Sequence, residues 1–227
     1  MDFEVEIGVI IGKQNKMGHP VKVKDAHEHV FGLVLLDDWS ARDIQAWEYQ
    51  PLGPFLAKNF ATTISPWIIT LEALEPFAVD LPAQNPKPLP YLFEEKLKSW
   101  DIPINVQMKS KNGNEFHKIS TTNYKYMYWT INQQIAHHTV TGCQLNVGDI
   151  LGSGTISGLE PDSYGSLFEL NNAGKKKIKL GETEEKTWIE DFDTVNFTAE
   201  IKGDGYKIGF GNCSGTILPA NPIEEYY

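Results

Sequence analysis

The stretch LVLLDDWSARDIQAWEYQPLGPFLAKNFATT, residues 33–63, determines how the rest of the chain is interpreted. It opens within an apolar run, residues 30–36, that is too short for an ordinary helix and is typical of a buried strand. Ser40 can cap a helix with its hydroxyl, and the acidic Asp43 follows three residues later. The pattern therefore predicts a core strand followed by a short helix that begins at Ala41.

Polar side chains gather around that predicted helix. Arg42, Gln45 and Tyr49 are spaced i, i+3 and i+7, so they share one helical face. A mixture of charged, amide, phenol and amine groups is typical of a functional site more than of a core. A strand end, a helix and the next connection are thus expected to bring together Asp38, Arg42, Gln45, Tyr49, Lys58 and Thr62.

Length and charge restrict the classes of protein to consider. A chain of 227 residues can form one good-sized core, and residues 1–220 are expected to be one domain with a tail at 221–227. The net charge of −10 argues against nucleic acid or an anionic membrane as a partner. Cys143 and Cys213 are far apart and are interpreted as reduced thiols of a cytoplasmic protein, with a single disulfide the less favoured alternative.

Residues 2–7 alternate between acidic and apolar side chains, which predicts a strand with Glu4 and Glu6 on one face. One interpretation is an ordinary amphipathic strand with a solvated acidic face. The other adds Asp38, because three converging carboxylates repel one another unless a cation or proton neutralises them. Oxygen-only ligands favour a hard ion, Mg²⁺ or Ca²⁺, over zinc.

Three other segments are weaker candidates. His27-Glu28-His29 raises the possibility of zinc, but no cysteine or third histidine lies near in sequence, so structural histidines are favoured. In the glycine-rich turn at residues 148–158, Thr155 can offer its hydroxyl to a ligand, and a ligand-free turn is an equal alternative. Glu169 is a charged residue on a predicted apolar strand.

Turn and periodicity signals predict the fold class. Asn112-Gly113 and Asp204-Gly205 each lie between strand-like runs and predict hairpins. Apolar spacing predicts a helix over residues 123–138, capped by Thr122 or Asn123. Many short strands with few short helices indicate a β-rich α+β domain.

Several motifs carry a family resemblance. DWSARDIQ at 38–45, WEY at 47–49 and PLGPF at 51–55 resemble the fumarylacetoacetate hydrolase family. The Ser-Ala-Arg-Asp core alone indicates a wider superfamily of hydrolases, decarboxylases and hydratases acting on 2-oxo acids. KYMYW at 125–129 narrows the resemblance to the branch that cleaves fumarylacetoacetate, and the likeness runs over residues 2–219.

That resemblance implies the mixed β-sandwich roll of the family's C-terminal catalytic domain, usually paired as a homodimer. It implies hydrolysis of a carbon–carbon bond in a 1,3-dioxo acid during tyrosine and phenylalanine catabolism, with Mg²⁺ or Ca²⁺ as cofactor. By the same match, the metal site comprises Glu4, Glu6, Asp38, Lys58 and Thr62. The implied catalytic residues are Arg42, Gln45, Lys58 and Glu169, the last assisting a catalytic histidine, and the implied substrate contacts are Gln45, Tyr49 and Thr155.

One departure from the family pattern leaves alternatives open. In the family, the general-base histidine and a further aspartate ligand lie upstream of the Glu-x-Glu strand, whereas this chain begins almost on that strand. We therefore expect a catalytic domain without its leading part and with incomplete activity alone. The alternatives are a non-catalytic metal-binding dimer domain of the same fold, or a related 2-oxo acid decarboxylase or hydratase.

Overall fold

A computed structural model describes residues 1–225 of the protein, and residues 226–227 of the predicted tail lie outside this part. Antiparallel strands dominate the described part, as the sequence predicts. Their bounds are β1 Val5–Ile11, β2 Val30–Asp38, β3 Thr62–Ile64, β4 Ile69–Thr70, β5 Ala78–Asp80, β6 Lys98–Trp100, β7 Pro103–Lys109, β8 His117–Asn123, β9 Ile150–Gly152, β10 Ile178–Leu180, β11 Glu184–Lys186, β12 Thr194–Lys202 and β13 Lys207–Thr216.

The helices between these strands are short. No helix of the described residues is long and apolar enough to cross a membrane. The α-helices are α1 Arg42–Glu48, α2 Leu71–Leu74, α3 Ile131–Thr139 and α4 Leu167–Leu170, and 3₁₀ turns include Val23–His29, Tyr124–Tyr126 and Ile223–Glu225.

The first sheet has the strand order β3-β2-β1-β9, with β4 also paired to β2. Its centre is the antiparallel pair of β1 and β2, in which Val5 lies opposite Asp37 and Ile7 opposite Leu35. Apolar side chains on both strands face the same core, so the register follows from the hydrophobic pattern. This pairing brings the acidic start of β1 next to the acidic end of β2.

The second sheet has the strand order β13-β12-β7-β8. Both predicted hairpins are confirmed within it: residues 110–116 join β7 to β8, and Asp204-Gly205 lies in the turn between β12 and β13. Two small ribbons, β5 with β6 and β10 with β11, complete the β structure of the described residues.

One hydrophobic core lies between the two sheets. Ile7 contributes from the first sheet and Phe3 from the residues just before β1, Val106 and Phe197 contribute from the second sheet, and all four are fully buried. The rings of Phe3 and Phe197 meet edge to face, with centroids 5.7 Å apart. The β-rich α+β fold predicted from the strand pattern is thereby confirmed.

The predicted helix over residues 123–138 is wrong in its first half. Asn123 caps only the 3₁₀ turn Tyr124–Tyr126, and α3 begins at Ile131. The reason is a capping box at Thr130 and Gln133, which satisfies the first backbone N–H groups of a new helix there. Helix α3 then packs Ile135 into a small second core beside β1.

Two local predictions around the candidate site are also wrong. The predicted cap at Ser40 is not formed, because α1 begins one residue later with Ala41 at its N-cap position. The Ser40 hydroxyl instead donates to the Asp38 carbonyl oxygen at 3.0 Å. Glu169 lies on α4 and not on a strand, because Ser166 caps a helical turn by accepting from the Glu169 N–H.

The position of the core can be tested by truncating Phe197. Phe197→Ala should lower the free energy of unfolding by about 3–5 kcal/mol, because it leaves a cavity between the sheets. Urea denaturation followed by far-UV circular dichroism measures this loss. As a control, Leu159→Ala removes an exposed side chain and should change the free energy by less than about 0.5 kcal/mol. Equal losses in both variants would contradict the position of the core.

Candidate active site

Three carboxylates converge where β1 begins and β2 ends. Glu4, Glu6 and Asp38 each offer an oxygen atom, and these atoms lie within 4.8 Å of one another. Glu4 is only 8 % exposed and Glu6 only 5 %. The interpretation of this face as solvated is therefore wrong: other parts of the chain cover the strand's acidic side.

Part of that cover is the connection that follows β9. The Gly154 N–H donates to Glu6 Oε2 at 2.9 Å. A Cβ atom at Gly152 would lie 2.5 Å from the same oxygen, closer than real contacts allow. A side chain at position 152 would therefore displace the Glu6 carboxylate from this position. The glycine-rich turn predicted at residues 148–158 thus serves the acidic cluster.

The environment of Glu6 disfavours its charged form. Burial raises the pKa of Glu6 to about 7, and the neighbouring carboxylates of Asp38 and Glu4 act in the same direction, while the Gly154 N–H and Lys58 oppose the shift. A cation beside this carboxyl would oppose both effects. The cluster thus carries more negative charge than the surrounding protein compensates.

Lys58 supplies positive charge inside the cluster. Its Nζ atom lies 2.8 Å from Glu4 Oε2 and 2.8 Å from Asp38 Oδ2, and it donates to Ser40 Oγ at 2.7 Å. The loop that carries it is tied to α1, because the Ala57 N–H donates to a carboxylate oxygen of Glu48 at 2.8 Å. The predicted placement of a lysine beside these acids therefore agrees with the geometry.

Arg42, on the first turn of α1, is held by three different partners. Its Nε donates to Asp2 Oδ2 at 2.7 Å, its Nη2 lies 2.8 Å from Glu4 Oε1, and its Nη1 donates to Gln45 Oε1 at 3.0 Å. The ring of Phe168 lies against the guanidinium, 4.9 Å from its centroid to Cζ. The predicted shared face of Arg42 and Gln45 is thus formed, and it faces the acidic cluster.

A cleft of about 450 Å³ opens beside these groups. Thr155 Oγ1 donates to Glu4 Oε2 at 3.0 Å, on one wall of the cleft. On the other wall, one oxygen of Glu169 accepts from Ser157 Oγ and from Ser166 Oγ, both at 2.8 Å. The cleft is lined by Glu4, Arg42, Tyr126, Met127, Tyr128, Trp129, Thr155, Ser157, Ser166, Phe168 and Glu169.

Two of the predicted site residues, Tyr49 and Thr62, lie at the edge of the site. Tyr49 lies at the C-terminal end of α1, is 60 % exposed and does not line the cleft. Thr62 pairs with Asp38 across β2 and β3, so its backbone adjoins the cluster. The sequence pattern predicts no role for Asp2, Ser157 or Phe168, although the alternation with Glu4 and Glu6 places Asp2 on the acidic face.

None of the histidines lines this cleft in the part of the chain that the structure describes. His29 Nδ1 lies 2.7 Å from the Lys13 carbonyl oxygen, at the end of a 3₁₀ turn. Described groups of three or more potential ligand residues do not include His27 or His29. The structural interpretation of these histidines is therefore favoured over zinc.

The donor set of the acidic cluster fits a hard divalent cation. Glu4, Glu6 and Asp38 offer only carboxylate oxygens, which Mg²⁺ and Ca²⁺ prefer. Lys58 compensates one of their three negative charges, and the charge of Arg42 is shared with buried Asp2. The remaining negative charge is unfavourable at this depth unless a cation or a proton balances it.

Comparison with known families bears on this site. The family model described as fumarylacetoacetate (FAA) hydrolase C-terminal matches residues 1–218. The chain belongs to this hydrolase family. The resemblance carried by residues 38–55 and 125–129 is thereby confirmed.

Curated relatives within the family are similar over almost the whole chain. The fumarylacetoacetase of Dictyostelium discoideum is 57 % identical over 224 residues, which cover 97 % of this chain and 52 % of the relative. The fumarylacetoacetase of Homo sapiens is 50 % identical over 220 residues, which cover 97 % of this chain and 52 % of the relative. The chain spans about half the length of the curated relatives it matches.

Solved structures of the family share the fold. Yeast ynq8, a fumarylacetoacetate hydrolase family protein, gives a TM-score of 0.55 at 16 % identity and covers 96 % of this chain and 66 % of its own. The fumarylacetoacetate hydrolase of Exiguobacterium antarcticum gives 0.51 at 17 % identity and covers 96 % and 57 %. At these identities the likeness shows the fold alone.

The cation preference of the acidic cluster can be tested with Glu6→Gln. The substitution removes one negative charge and one oxygen ligand, so the affinity for Mg²⁺ or Ca²⁺ should fall at least about tenfold. Isothermal titration calorimetry with each metal chloride measures the change. Glu72→Gln alters an exposed glutamate outside the cluster and should leave the affinity unchanged. An unchanged affinity in Glu6→Gln, or tighter binding of Zn²⁺ than of Mg²⁺ and Ca²⁺, would refute this metal site.

Proposed function

We propose that this chain forms the site that hydrolyses fumarylacetoacetate to fumarate and acetoacetate, in tyrosine and phenylalanine catabolism. The observation that carries the proposal is the largely buried cluster of Glu4, Glu6 and Asp38 with Arg42 and Lys58 beside it. Relatives at 50–57 % identity bear the name fumarylacetoacetase, which supports this substrate over other 2-oxo acids and over a non-catalytic domain.

The reaction cleaves a carbon–carbon bond beside a carbonyl group, so a carbanion must leave as an enolate. Glu4, Glu6 and Asp38 would hold a Mg²⁺ or Ca²⁺ ion, with Lys58 and Thr62 adjoining the same site. Such an ion acts as a Lewis acid that stabilises developing negative charge on 1,3-dioxo oxygens. The proposal includes both metals, and calorimetry with each metal chloride would distinguish between them.

The cationic and amide side chains would stabilise the same negative charge from the protein side. Arg42 presents fixed N–H donors on the lining of the cleft, Lys58 lies next to the lining residue Glu4, and Gln45 orients one Arg42 nitrogen. Donors that are already in place cost no reorganisation when charge develops, and each is typically worth about 10²–10³ in rate. Gln45 and Thr155 would also contact the substrate, with Tyr49 at the outer end.

Glu169 would act on a proton acceptor and not on the substrate. Ser157 and Ser166 both donate to one of its oxygens, which fixes the carboxylate beside the cleft. A carboxylate in that position can orient a histidine base and stabilise its protonated form. The lining of the described cleft contains no histidine. The proposal therefore assigns the general base to none of the lining residues.

An exposed apolar segment supports assembly as a homodimer. From the last turn of α1 to the residues before β3, large apolar side chains lie open to solvent, including Trp47 at 88 % and Leu52 at 76 % exposure. Several large exposed apolar side chains in one short segment are typical of an interface between subunits. We assign the dimer surface to this segment, comprising Trp47, Leu52, Phe55, Leu56 and Phe60. The two free thiols support a cytoplasmic location for the assembly.

The catalytic role of Lys58 can be tested in a chimera in which this chain replaces the matching residues of the Dictyostelium discoideum relative. Lys58→Met should lower turnover of fumarylacetoacetate by about 10²–10³, because one charged donor beside the cleft is lost. Loss of substrate absorbance measures the rate.

Lys186 offers a matched control for this test. It is also a largely buried lysine among carboxylates, with Glu190 and Asp193 as partners, but it lies outside the cleft. Lys186→Met should therefore reduce stability and leave turnover per folded molecule unchanged. Turnover of Lys58→Met within a few-fold of the parent chimera would refute the catalytic role, and an inactive parent would refute the proposed function.

The dimer surface can be tested separately with Leu52→Asp. A charge in the middle of a buried apolar interface is unfavourable, so this variant should sediment as a monomer at concentrations where the unmodified chain is a dimer. Sedimentation velocity over a range of concentrations measures the distribution. Leu159→Asp places the same charge at an exposed leucine outside the segment and should leave the dimer intact. A dimeric Leu52→Asp would assign the interface elsewhere.

A further inference from the structure

Asp2 is a buried carboxylate that the proposed chemistry does not use. Its side chain is completely buried, and each oxygen atom is occupied. Oδ2 accepts from Arg42 Nε at 2.7 Å and from the Phe168 N–H at 3.1 Å, and Oδ1 accepts from the Leu167 N–H at 2.8 Å. All three donors belong to segments that line or adjoin the cleft.

These contacts join three distant parts of the sequence at one residue. The Asp2 backbone pairs with Ser40, just before α1, through hydrogen bonds of 2.9 and 3.0 Å. Its side chain then reaches Arg42 on the first turn of α1 and the first two residues of α4. Helix α4 carries Glu169, so the same carboxylate fixes the guanidinium and the backbone that positions Glu169.

The chemistry of the side chain explains why a carboxylate is needed there. An ionised carboxylate only accepts hydrogen bonds, and here it accepts three from N–H donors. An amide at the same place would turn an N–H₂ group toward at least one of these donors. Burial raises the pKa of Asp2, and the Arg42 guanidinium beside it opposes that effect. Without its partners this buried group would be strongly unfavourable.

We infer that Asp2 is a positioning residue, which holds Arg42 and the α4 backbone in the arrangement that the cleft requires. The inference deepens the proposed function and rests on it where Arg42 and Glu169 are given catalytic roles. Asp2 does not line the cleft and is buried beneath Arg42 and Phe168, so it acts through these residues and not on the substrate.

Arg42 is the only arginine in the chain. A sample labelled with ¹⁵N-arginine therefore gives a single Nε–H signal in an NMR spectrum. In the unmodified chain this proton should exchange slowly with solvent, because it is bonded to a buried carboxylate. An exchange rate like that of a free arginine would overturn the inference without any substitution.

Asp2→Asn tests the carboxylate directly. Phenylglyoxal reacts with free guanidinium groups, and its reaction with Arg42 can be followed by mass spectrometry of the intact chain. The variant should react at least about tenfold faster, the range expected when one charged hydrogen bond is lost. The Leu167 and Phe168 amides should also exchange faster in hydrogen–deuterium exchange. Unchanged reactivity and unchanged exchange would overturn the inference.

Asp193→Asn is the matched control for general destabilisation. Asp193 is also fully buried, lies 3.0 Å from Lys186 Nζ and accepts from the Lys111 N–H at 3.0 Å. It lies outside the cleft, so its loss should reduce stability and leave the reactivity of Arg42 unchanged. An equal rise of reactivity in both variants would mean that Asp2 is only structural, which would overturn the inference.

A binding measurement separates this inference from the proposed function. Acetoacetate serves as the probe, and its dissociation constant is measured by calorimetry with the unmodified chain and with Asp2→Asn. A weaker affinity together with faster modification of Arg42 supports both ideas. Faster modification with unchanged affinity supports the positioning role and counts against Arg42 as a substrate contact.

Asp2→Glu keeps the charge, so it should restore slow modification in part, and a rate equal to that of Asp2→Asn would overturn the need for a carboxylate.

Discussion

The convergence of three carboxylates at one point, two of them buried, is the constraint on which this structure depends. Moving an ionised carboxylate out of water costs several kcal/mol even after the protein relaxes, so Glu4, Glu6 and Asp38 cannot lie together without compensation. The chain supplies part of it from distant segments: the amine of Lys58 and the N–H of Gly154 both reach the cluster. The loops that bring these groups are therefore as necessary to the site as the strands that carry the acids.

The register between β1 and β2 determines where the acidic side chains of the site lie. Because Val5 pairs with Asp37, the acids at the start of β1 face Asp38 at the end of β2. A slip of one residue would turn Glu4 and Glu6 into the apolar core and turn their apolar neighbours outward. The hydrophobic core that fixes this register, centred on Phe3 and its contacts, thus also protects the geometry of the acidic cluster.

The sequence predicts most of the fold and part of the site, for different physical reasons. Alternation and turn residues are local signals, so the central strands and both hairpins are predicted correctly. Glu4, Glu6 and Lys58 could be grouped by their chemistry and by resemblance. The burial of the acids could not, since alternation shows which face a side chain takes and not what covers it. The bond from Asp2 to Leu167 joins residues 165 positions apart, and no local pattern indicates such a contact.

Arg42 and Lys58 illustrate why two cations in one site are not equivalent. A guanidinium is a planar fork with several donors, and here its nitrogens bind the side chains of Asp2, Glu4 and Gln45. With these partners and a ring against its face, it is fixed in direction. An ammonium group is a compact charge on a flexible stem, and Lys58 lies where the acids are densest. Arg42 therefore provides donors in fixed directions, and its own placement depends on Asp2. Lys58 balances negative charge of the acidic cluster.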